Sequence, residues 1–321
     1  MISRNTIRIK VMQTIYEHDI SKHYDAYLAK KILMRSFDDM YMLYIRILSI
    51  FSILTYTADA IIEVKKQRYL PSATDLQPNL KFINNLFIKK IKQNTSLRKQ
   101  IYKNNLDWNN EADLLFIRKI YNAMSNQEFF IKYMQSPDNS FDKDKKLVLS
   151  ILEKFMLENE DMIHYFGEVK LSWLHDYNDV IILIHNTLKS FTEDQSNDKP
   201  LPTLFKVSEE GILEDLNFAQ TLITKTIQNN EEYEQIIAHK LVNWETYRLA
   251  YVDFILLKMA ICEFCEFPDI PLRVTMNEYI EISKYYSTPK SRNFINGLLD
   301  NVLLYLKEEN KINKRGRGLM G

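Results

Sequence analysis

Turn-forming residues are scarce in this sequence of 321 residues, which contains only six glycines and eight prolines. A sandwich, a barrel or a doubly wound sheet needs many tight turns, so this scarcity argues against all three. Hydrophobic residues make up 46% of the chain, which is enough to bury a large core. The composition therefore predicts an ordered all-α protein.

Cysteine is also scarce, and neither sign of charge is in excess. Cys262 and Cys265 are the two cysteines, and a zinc site would need two further Cys or His ligands at a workable spacing. We therefore expect two buried free thiols in a reducing cytosol. Lys plus Arg and Asp plus Glu both number 42, so the formal charge is zero. This balance excludes a uniformly basic coat but permits local basic patches.

Catalytic motifs are missing as well. The sequence has no Gly-x-Gly-x-x-Gly or P-loop segment, and its six histidines form no His-Glu-x-x-His pair. No serine or cysteine stands in a nucleophile motif. We therefore predict a protein that is not an enzyme, with no catalytic residues, no cofactor and no metal site.

Two long apolar runs, residues 40–62 and 249–267, are interrupted by charged residues. These are Arg46 and Asp59 in the first run, and Asp253, Lys258, Glu263 and Glu266 in the second. A charge in the middle of a membrane span costs roughly 2.5 to 3.5 kcal/mol on insertion scales, so both runs are predicted to be central helices of a soluble bundle. The first ten residues lack a signal-peptide core, and we expect a cytoplasmic protein.

The three tryptophans stand in a repeated context. Trp108, Trp173 and Trp244 are separated by 65 and 71 residues, and an asparagine stands fourteen positions before each of them. Apolar residues at helical spacing precede each of these asparagines, which are Asn94, Asn159 and Asn230. The pattern predicts three related units of helix, break, short helix, tryptophan and long helix. The alternative is that unrelated amphipathic helices share this spacing.

Basic residues collect in the first predicted helix, which spans Ser3 to Asp19 with Ser3 as its N-cap. Arg4 and Arg8 lie on one ridge of this helix, and no acidic residue precedes Glu17. Cations near a helix start oppose its dipole by about 0.3 to 1 kcal/mol each, so an anionic partner is expected. An RNA phosphate would serve, whereas a solvated basic helix is the alternative.

The carboxyl-terminal part has a second basic region with an aromatic residue in it. We predict one helix from Thr275, with Glu278 completing a capping box, and a last helix that begins at Thr288 and Pro289. The charges at its start are Lys284, Lys290 and Arg292, and Phe294 lies one turn from Lys290. A ring beside a cation suits an unpaired base and its phosphate. Gly297, within this helix, costs about 1 kcal/mol relative to alanine and permits close approach of a helix or a ligand.

Three segments carry a family resemblance: "RIKVMQTIY" at 8–16, "AYVDFILLKMAICEF" at 250–264 and "DIPLRVTMNEYIEISKYYSTPKSRNFINGLLD" at 269–300. Together they resemble the NusB family of bacterial transcription antitermination factors, especially its long form in the Bacteroidetes. The resemblance implies an all-α helical bundle of the NusB type with additional inserted helical units. It also implies binding to boxA-type leader RNA of ribosomal RNA transcripts and to the small-subunit ribosomal protein that acts as NusE, on the RNA polymerase elongation complex.

The resemblance also implies which residues carry these contacts. RNA contact is expected at Arg4, Arg8, Gln13, Lys258, Lys290 and Phe294, and partner contact at Tyr16 and Asp253. The cations from the two ends of the chain are expected to converge on one surface beside Phe294. Two other functions stay open: a helical docking scaffold in ribosome assembly, and a NusB-like part of a ribosomal RNA methyltransferase system.

The polar, turn-rich linkers at 70–79, 135–146 and 192–202 divide the chain. The expected parts are N-terminal helices at 1–70, an inserted helical region with two degenerate repeats at 71–202, a NusB-like RNA-binding core at 203–310 and a basic tail at 311–321. The helix at 3–19 is expected to pack on the carboxyl-terminal part.

Overall fold

The computed structural model describes residues 1–21, 25–208, 210–211, 213–241, 250–288 and 291–319. These residues form fifteen α-helices and no strand, which confirms the all-α prediction. The first ten helices are α1 (Arg4–Ile20), α2 (Ala26–Lys66), α3 (Ala73–Leu76), α4 (Leu86–Gln93), α5 (Thr95–Asn104), α6 (Glu111–Ser125), α7 (Glu128–Gln135), α8 (Phe141–Ile151), α9 (Glu160–Val169) and α10 (Leu171–Lys189). The last five are α11 (Glu214–Gln228), α12 (Asn230–Lys240), α13 (Tyr251–Glu266), α14 (Leu272–Tyr286) and α15 (Ser291–Glu308).

The chain divides into two compact units. Unit 1 is discontinuous and contains Met1–Ser36 and Phe205–Gly321, whereas unit 2 is the continuous stretch Phe37–Leu204. Helix α2 begins in unit 1 and continues into unit 2. Residues 37–70, which the sequence pattern grouped with the N-terminal helices, therefore lie in unit 2.

Unit 1 is built around α13, which contacts α1, α11, α12, α14 and α15. The side chains from Ile255 to Leu257 and from Met259 to Phe264 are fully buried, so this apolar run is a core helix as predicted. Helix α1 lies against α13 and buries Ile7, Val11 and Ile15. Ser3 caps α1 by accepting a hydrogen bond from the Thr6 amide, which also agrees with the prediction.

Unit 2 has the apolar part of α2 in its core. By length and composition α2 is long and apolar enough to cross a membrane, but half of its most apolar stretch is buried in the fold. The charge of Arg46 within it is paired, because Arg46 donates from Nη2 to Asp113 Oδ2 at 2.7 Å and lies over the ring of Trp108. Such burial and pairing are what the core helix of a water-soluble bundle requires.

The first two repeated units have the predicted order of elements. Asn94 caps α5 and Asn159 caps α9, each by accepting a hydrogen bond from the amide three residues later. Trp108 donates from Nε1 to Ser49 Oγ at 2.8 Å, and Trp173 donates to the Asp39 carbonyl at 2.9 Å. These tryptophans are packing residues of unit 2. In the third unit Asn230 is the first residue of α12, and Trp244 lies outside the described residues.

The predicted start of the fourteenth helix is wrong. Helix α14 begins at Leu272 after Pro271, three residues earlier than the capping box would place it. Thr275 and Glu278 do not cap the helix, because both side chains are used in tertiary contacts. Helix α15 is described from Ser291, and the predicted first turn at Pro289 lies outside the described residues.

Candidate functional site

The ridge of α1 that carries Arg8 faces the interior of unit 1. Arg8 is only 2% exposed and makes two hydrogen bonds to Glu263, from Nε at 2.9 Å and from Nη2 at 2.7 Å. Its Nη1 donates to Glu278 Oε2 at 3.1 Å. Burial alone disfavours the charged form, but the hydrogen bonds and charge of Glu263 outweigh it and raise the pKa of Arg8. Arg8 is thus a permanently charged, fully bonded core residue.

Glu263 is the acceptor at the centre of this network. Its side chain is fully buried and also accepts hydrogen bonds from Thr275 Oγ1 at 2.8 Å and Tyr279 Oη at 3.1 Å. Sequence reasoning named Glu263 only as one of the charges that interrupt the apolar run 249–267, and missed it as the partner of Arg8. The sequence did contain a signal for such a partner, because a basic ridge without acidic residues on its own helix requires an anion from another part of the chain or from a ligand. In this structure the anion is a carboxylate and not a phosphate.

Arg4, one turn earlier, is partly exposed at the edge of a cleft. Its side chain is 40% exposed, and its Nε donates to Asp215 Oδ1 at 3.2 Å. The cleft has a volume of about 910 Å³ and carries charges of both signs. The charged lining residues are Arg4, Arg8, Lys206, Arg317, Glu214, Asp215, Glu266, Asp269 and Glu278. With five carboxylates among nine charged groups, this cleft is not a basic surface.

Lys258, another residue predicted to contact RNA, is also buried. It is 3% exposed, and its Nζ donates to Asn230 Oδ1 at 2.7 Å. Carboxylates of Asp19 and Glu234 lie 3.9 and 3.5 Å from the same nitrogen. These contacts tie α13 to α1 and α12, so the amine has a structural role in unit 1.

A different group of predicted residues lies near the amino end of α13. Tyr16 is 42% exposed and packs edge-on against Tyr251, with ring centroids 5.8 Å apart. Asp253 is buried and accepts a hydrogen bond from Ser291 Oγ, the first residue of α15, at 2.6 Å. Gln13 and Phe294 are half-buried. This end of α13 therefore combines the accessible ring of Tyr16, from α1, with a buried contact to the first residue of α15.

The two arginines of α1 lie away from that end. Arg8 meets α13 at Glu263, whereas Ser291 meets it at Asp253, ten residues earlier and about 15 Å away along the helix axis. The structure therefore does not bring Arg4 and Arg8 beside the start of α15, as the sequence pattern led us to expect. Lys290, the remaining predicted contact, lies outside the described residues.

The basic tail, which belongs to unit 1, packs on the carboxyl end of α13. Lys314 donates to the carbonyls of Glu263 and Phe267, at the end of α13, and Arg315 donates its amide to the Pro268 carbonyl at 3.1 Å. A lysine at this position neutralises the free carbonyls of a helix end. At least this part of the tail is a structural element of the bundle.

The described residues contain no group of His, Cys, Asp and Glu side chains arranged to hold a metal ion. Cys262 and Cys265 are free thiols, the first buried and the second half-buried. Burial raises the pKa of Cys262 to about 12 and that of Cys265 to about 11. Both are therefore protonated near neutral pH, which does not suit a nucleophile.

Unit 1 is thus a helical bundle in which an amino-terminal helix is fixed on α13 by a buried ion pair, with a partly exposed face at the other end of α13. Comparison with known proteins relates part of this bundle to a protein family. The NusB family model matches residues 182–304. No solved structure matches the chain at a significant level.

Among the curated relatives that match are three named "Transcription antitermination protein NusB". The protein of Salinibacter ruber is 44% identical over 105 residues, which are 33% of this chain and 66% of that protein. The protein of Chloroherpeton thalassium is 40% identical over 104 residues, which are 32% of this chain and 49% of that protein. The protein of Desulfatibacillum aliphaticivorans is 40% identical over 98 residues, which are 30% of this chain and 68% of that protein.

The chain belongs to the NusB family. The matched stretch spans from half to about two thirds of the length of these relatives, and most of unit 2 lies outside it.

Proposed function

We propose that this protein is a non-enzymatic, RNA-binding transcription antitermination factor of the cytoplasm. It acts on ribosomal RNA transcription by binding single-stranded boxA-type leader RNA together with the ribosomal protein that serves as NusE, on the elongating RNA polymerase. The observation that carries the proposal is the match of the NusB family model to residues 182–304, which include all of α13 and α14 and most of α15, as far as Leu304. The absence of a catalytic motif from the sequence agrees with it.

The structure supports some of the proposed RNA contacts more than others. Gln13 on α1 and Phe294 on α15 are half-buried, so each side chain keeps some surface that a base can reach. A base that stacks on an aromatic ring contributes about 1 to 3 kcal/mol to binding. Lys290 directly precedes α15 and would add a phosphate contact there. We propose that these three residues form the RNA surface.

Arg8 and Lys258 have a different proposed role. Both are almost fully buried and bonded to carboxylates or an amide, so an RNA phosphate would have to displace those acceptors. We propose that they position α1 and α12 on α13 and affect RNA binding only through this packing. Arg4 is exposed enough to reach a phosphate, but the phosphate would have to compete with the Asp215 carboxylate for this guanidinium.

A binding measurement tests the RNA surface. A labelled single-stranded boxA-type oligonucleotide is titrated with the full chain, with a scrambled RNA for comparison and at several salt concentrations. Phe294→Ala should weaken boxA binding about tenfold, because stacking is lost. Lys307→Ser removes an exposed cation near the far end of α15 and should change binding less than twofold. Equal affinity for boxA, scrambled and duplex RNA would refute the proposal.

The partner contact is tested separately. Tyr16 is proposed to touch the NusE protein, whereas buried Asp253 fixes the start of α15 through Ser291. Tyr16→Ala should reduce capture of purified NusE by the full chain, and Tyr16→Phe should retain it, because the ring supplies most of the contact area. Unchanged capture by Tyr16→Ala would remove this residue from the interface.

A further inference from the structure

Unit 2 contains a stretch of chain with basic residues and no acidic ones. From Leu76 to Leu106 there are seven cations and no Asp or Glu, although the whole chain is electrically neutral. The cations are Lys81, Lys89, Lys90, Lys92, Arg98, Lys99 and Lys103. We propose that α5, at the end of this stretch, is a second binding site for single-stranded RNA, separate from the NusB-like surface of unit 1. This site goes beyond the function proposed above and does not depend on it.

The outer face of α5 carries the groups that such a site needs. Arg98, Lys99, Tyr102 and Lys103 are exposed, whereas Leu97, on the opposite face, is buried in unit 2. Arg98 and Tyr102 form one ridge at a spacing of four residues, and Lys99 and Lys103 form the next ridge. Cations four residues apart are separated by about 6 Å along the helix, so they can contact separate phosphates.

Arg98, Lys99 and Lys103 differ from three of the other four basic residues of the stretch, the exception being the exposed Lys89 on α4. Lys92 lies close to Asp59, and Lys90 to Asp194, so α4 is partly neutralised. Lys81 donates to the carbonyls of Ser136 and Asp138. Within the described part of the chain, Arg98, Lys99 and Lys103 form no ion pair, and Arg98 donates one hydrogen bond, to the Gln93 carbonyl at 3.0 Å. Their charge is uncompensated on the protein, which favours a polyanion as the ligand.

Tyr102 adds a feature that charge alone does not explain. Its side chain is 85% exposed and lies beside Lys99 and Lys103 on the helix. An exposed aromatic ring between cations suits an unpaired base, since bases stack on rings while their phosphates meet the cations. A regular duplex offers no free base face to this ring, so a single strand is the better ligand.

A small cavity adjoins the same helix. Ile101, the residue before Tyr102, lines a hollow of about 410 Å³ together with Ser52, Asp107, Trp108 and Asn109. The hydroxyl and amide groups in this lining can hydrogen-bond to the edge of a base. Ile101 stands two positions before Lys103 on α5, so one strand could place a phosphate on Lys103 and a neighbouring base in the hollow.

The test compares two charge variants of the full chain that lose the same number of cations from unit 2. The patch variant is R98S/K99S/K103S. The control variant, K66S/K119S/K132S, removes lysines that pair with Glu63, Asp161 and Glu128. Binding of a labelled oligouridylate of about 20 nucleotides is measured at several salt concentrations. The patch variant should lose about tenfold in affinity and about two units of the logarithmic salt slope, whereas the control should bind like the parent protein.

Substitution of Tyr102 provides a second, independent test, because it leaves the net charge of the protein unchanged. Because this side chain is so exposed, its replacement should not disturb folding. Tyr102→Ala should weaken oligouridylate binding about tenfold, and Tyr102→Phe should stay within twofold of the parent protein. Photo-crosslinking with 4-thiouridine RNA should label α5 in the parent protein and not in Tyr102→Ala.

Three outcomes would overturn the proposal. They are equal oligouridylate binding by the patch and control variants, unchanged binding by Tyr102→Ala, and loss of an acidic protein partner from the patch variant while its RNA binding stays unchanged. Failure of the boxA proposal would look different. If the parent protein shows no preference for boxA over scrambled RNA but the patch variant still loses oligouridylate affinity, the unit 2 site stands and the unit 1 site does not.

Discussion

The Arg8–Glu263 ion pair lies inside unit 1, with 2% and 0% of the two side chains exposed to solvent. A charge in such a place is tolerated because its partner is present with good geometry, and removing one partner leaves the other buried and unpaired. The pair joins α1 to α13 across 255 positions of sequence. It therefore determines whether the amino-terminal helix stays in the bundle.

Replacing Glu263 tests this role. Glu263→Gln keeps the size of the side chain but leaves Arg8 with only Glu278 as a carboxylate partner, so the free energy of unfolding should fall by about 3 kcal/mol. Urea unfolding followed by circular dichroism measures the change. The control is Glu266→Gln, which removes a half-exposed partner of Lys225 and should cost less than about 1 kcal/mol. Equal effects of the two variants would contradict a buried pair.

The cysteines give a prediction about reactivity. Burial raises the pKa of Cys262 to about 12 and that of Cys265 to about 11, and only the thiolate reacts with iodoacetamide. Both pKa values lie well above pH 8, so both thiols remain protonated at that pH. We expect slow labelling of the native protein at pH 8 and rapid labelling in denaturant, measured by mass spectrometry. Rapid labelling of both cysteines in the native protein would contradict the predicted burial.

At the scale of single elements, two glycines provide opposite tests. Gly297 lies inside α15, and a Cβ atom added there would meet no described atom within 4 Å. Gly297→Ala should therefore raise the free energy of unfolding by up to about 1 kcal/mol, since alanine is the better helix former. Thermal unfolding measures this effect. If the substitution also weakens boxA binding, the open space beside Gly297 is used by the RNA.

Gly318 is in the opposite situation, in the tail that packs on the end of α13. A Cβ atom there would lie 1.9 Å from the Pro268 carbonyl oxygen, so Gly318→Ala must displace this segment. Hydrogen exchange at the Arg315 amide, which donates to the same carbonyl, should become faster. Gly297→Ala is the control and should leave that amide unchanged. Unaltered exchange in Gly318→Ala would mean that the tail does not depend on this contact.

The elements were more predictable from sequence than the tertiary contacts. The cap at Ser3, the breaks at Asn94 and Asn159 and the core helix in residues 249–267 follow from local side-chain chemistry and hydrophobic spacing. The predicted start of α14 was wrong because Thr275 and Glu278, which match a capping box in sequence, form tertiary hydrogen bonds instead. Local pattern does not distinguish a cap from such a contact.

The candidate site was less predictable for a related reason. A basic ridge on α1 signals the need for anions, but sequence alone does not tell whether RNA or a distant carboxylate supplies them. Arg8 donates hydrogen bonds to Glu263, and Lys258 donates one to Asn230, and both acceptors belong to other helices. The basic face of α5 could have been found in advance, because thirty residues without an acidic one stand out in a neutral chain.

At the scale of the whole molecule, the two units differ in how the chain builds them. Unit 2 is one continuous stretch, whereas unit 1 needs α1 from one end of the chain and α11 to α15 from the other. Without α1, Glu263 would be a buried carboxylate that has lost its cation, and the groove that holds Ile7, Val11 and Ile15 would be exposed.

Isolated fragments should therefore behave differently. A fragment of residues 37–204 should fold by itself and give a cooperative thermal transition with dispersed amide resonances. A fragment of residues 205–321 should lack fixed packing until a peptide of residues 1–36 is added, because that peptide supplies Arg8, the apolar face of α1 and the start of α2. Circular dichroism and amide spectra measure both. A well-folded 205–321 fragment without the peptide would contradict this dependence.

The discontinuity of unit 1 also determines how the protein would respond to a nicking protease. A single cut at Glu193, in the exposed loop that follows α10, would divide the covalent chain into two pieces. The amino-terminal piece would retain α1 and the carboxyl-terminal piece would retain α13, and the buried ion pair would still join them. The nicked protein should therefore elute from a sizing column as one particle and separate only when denatured.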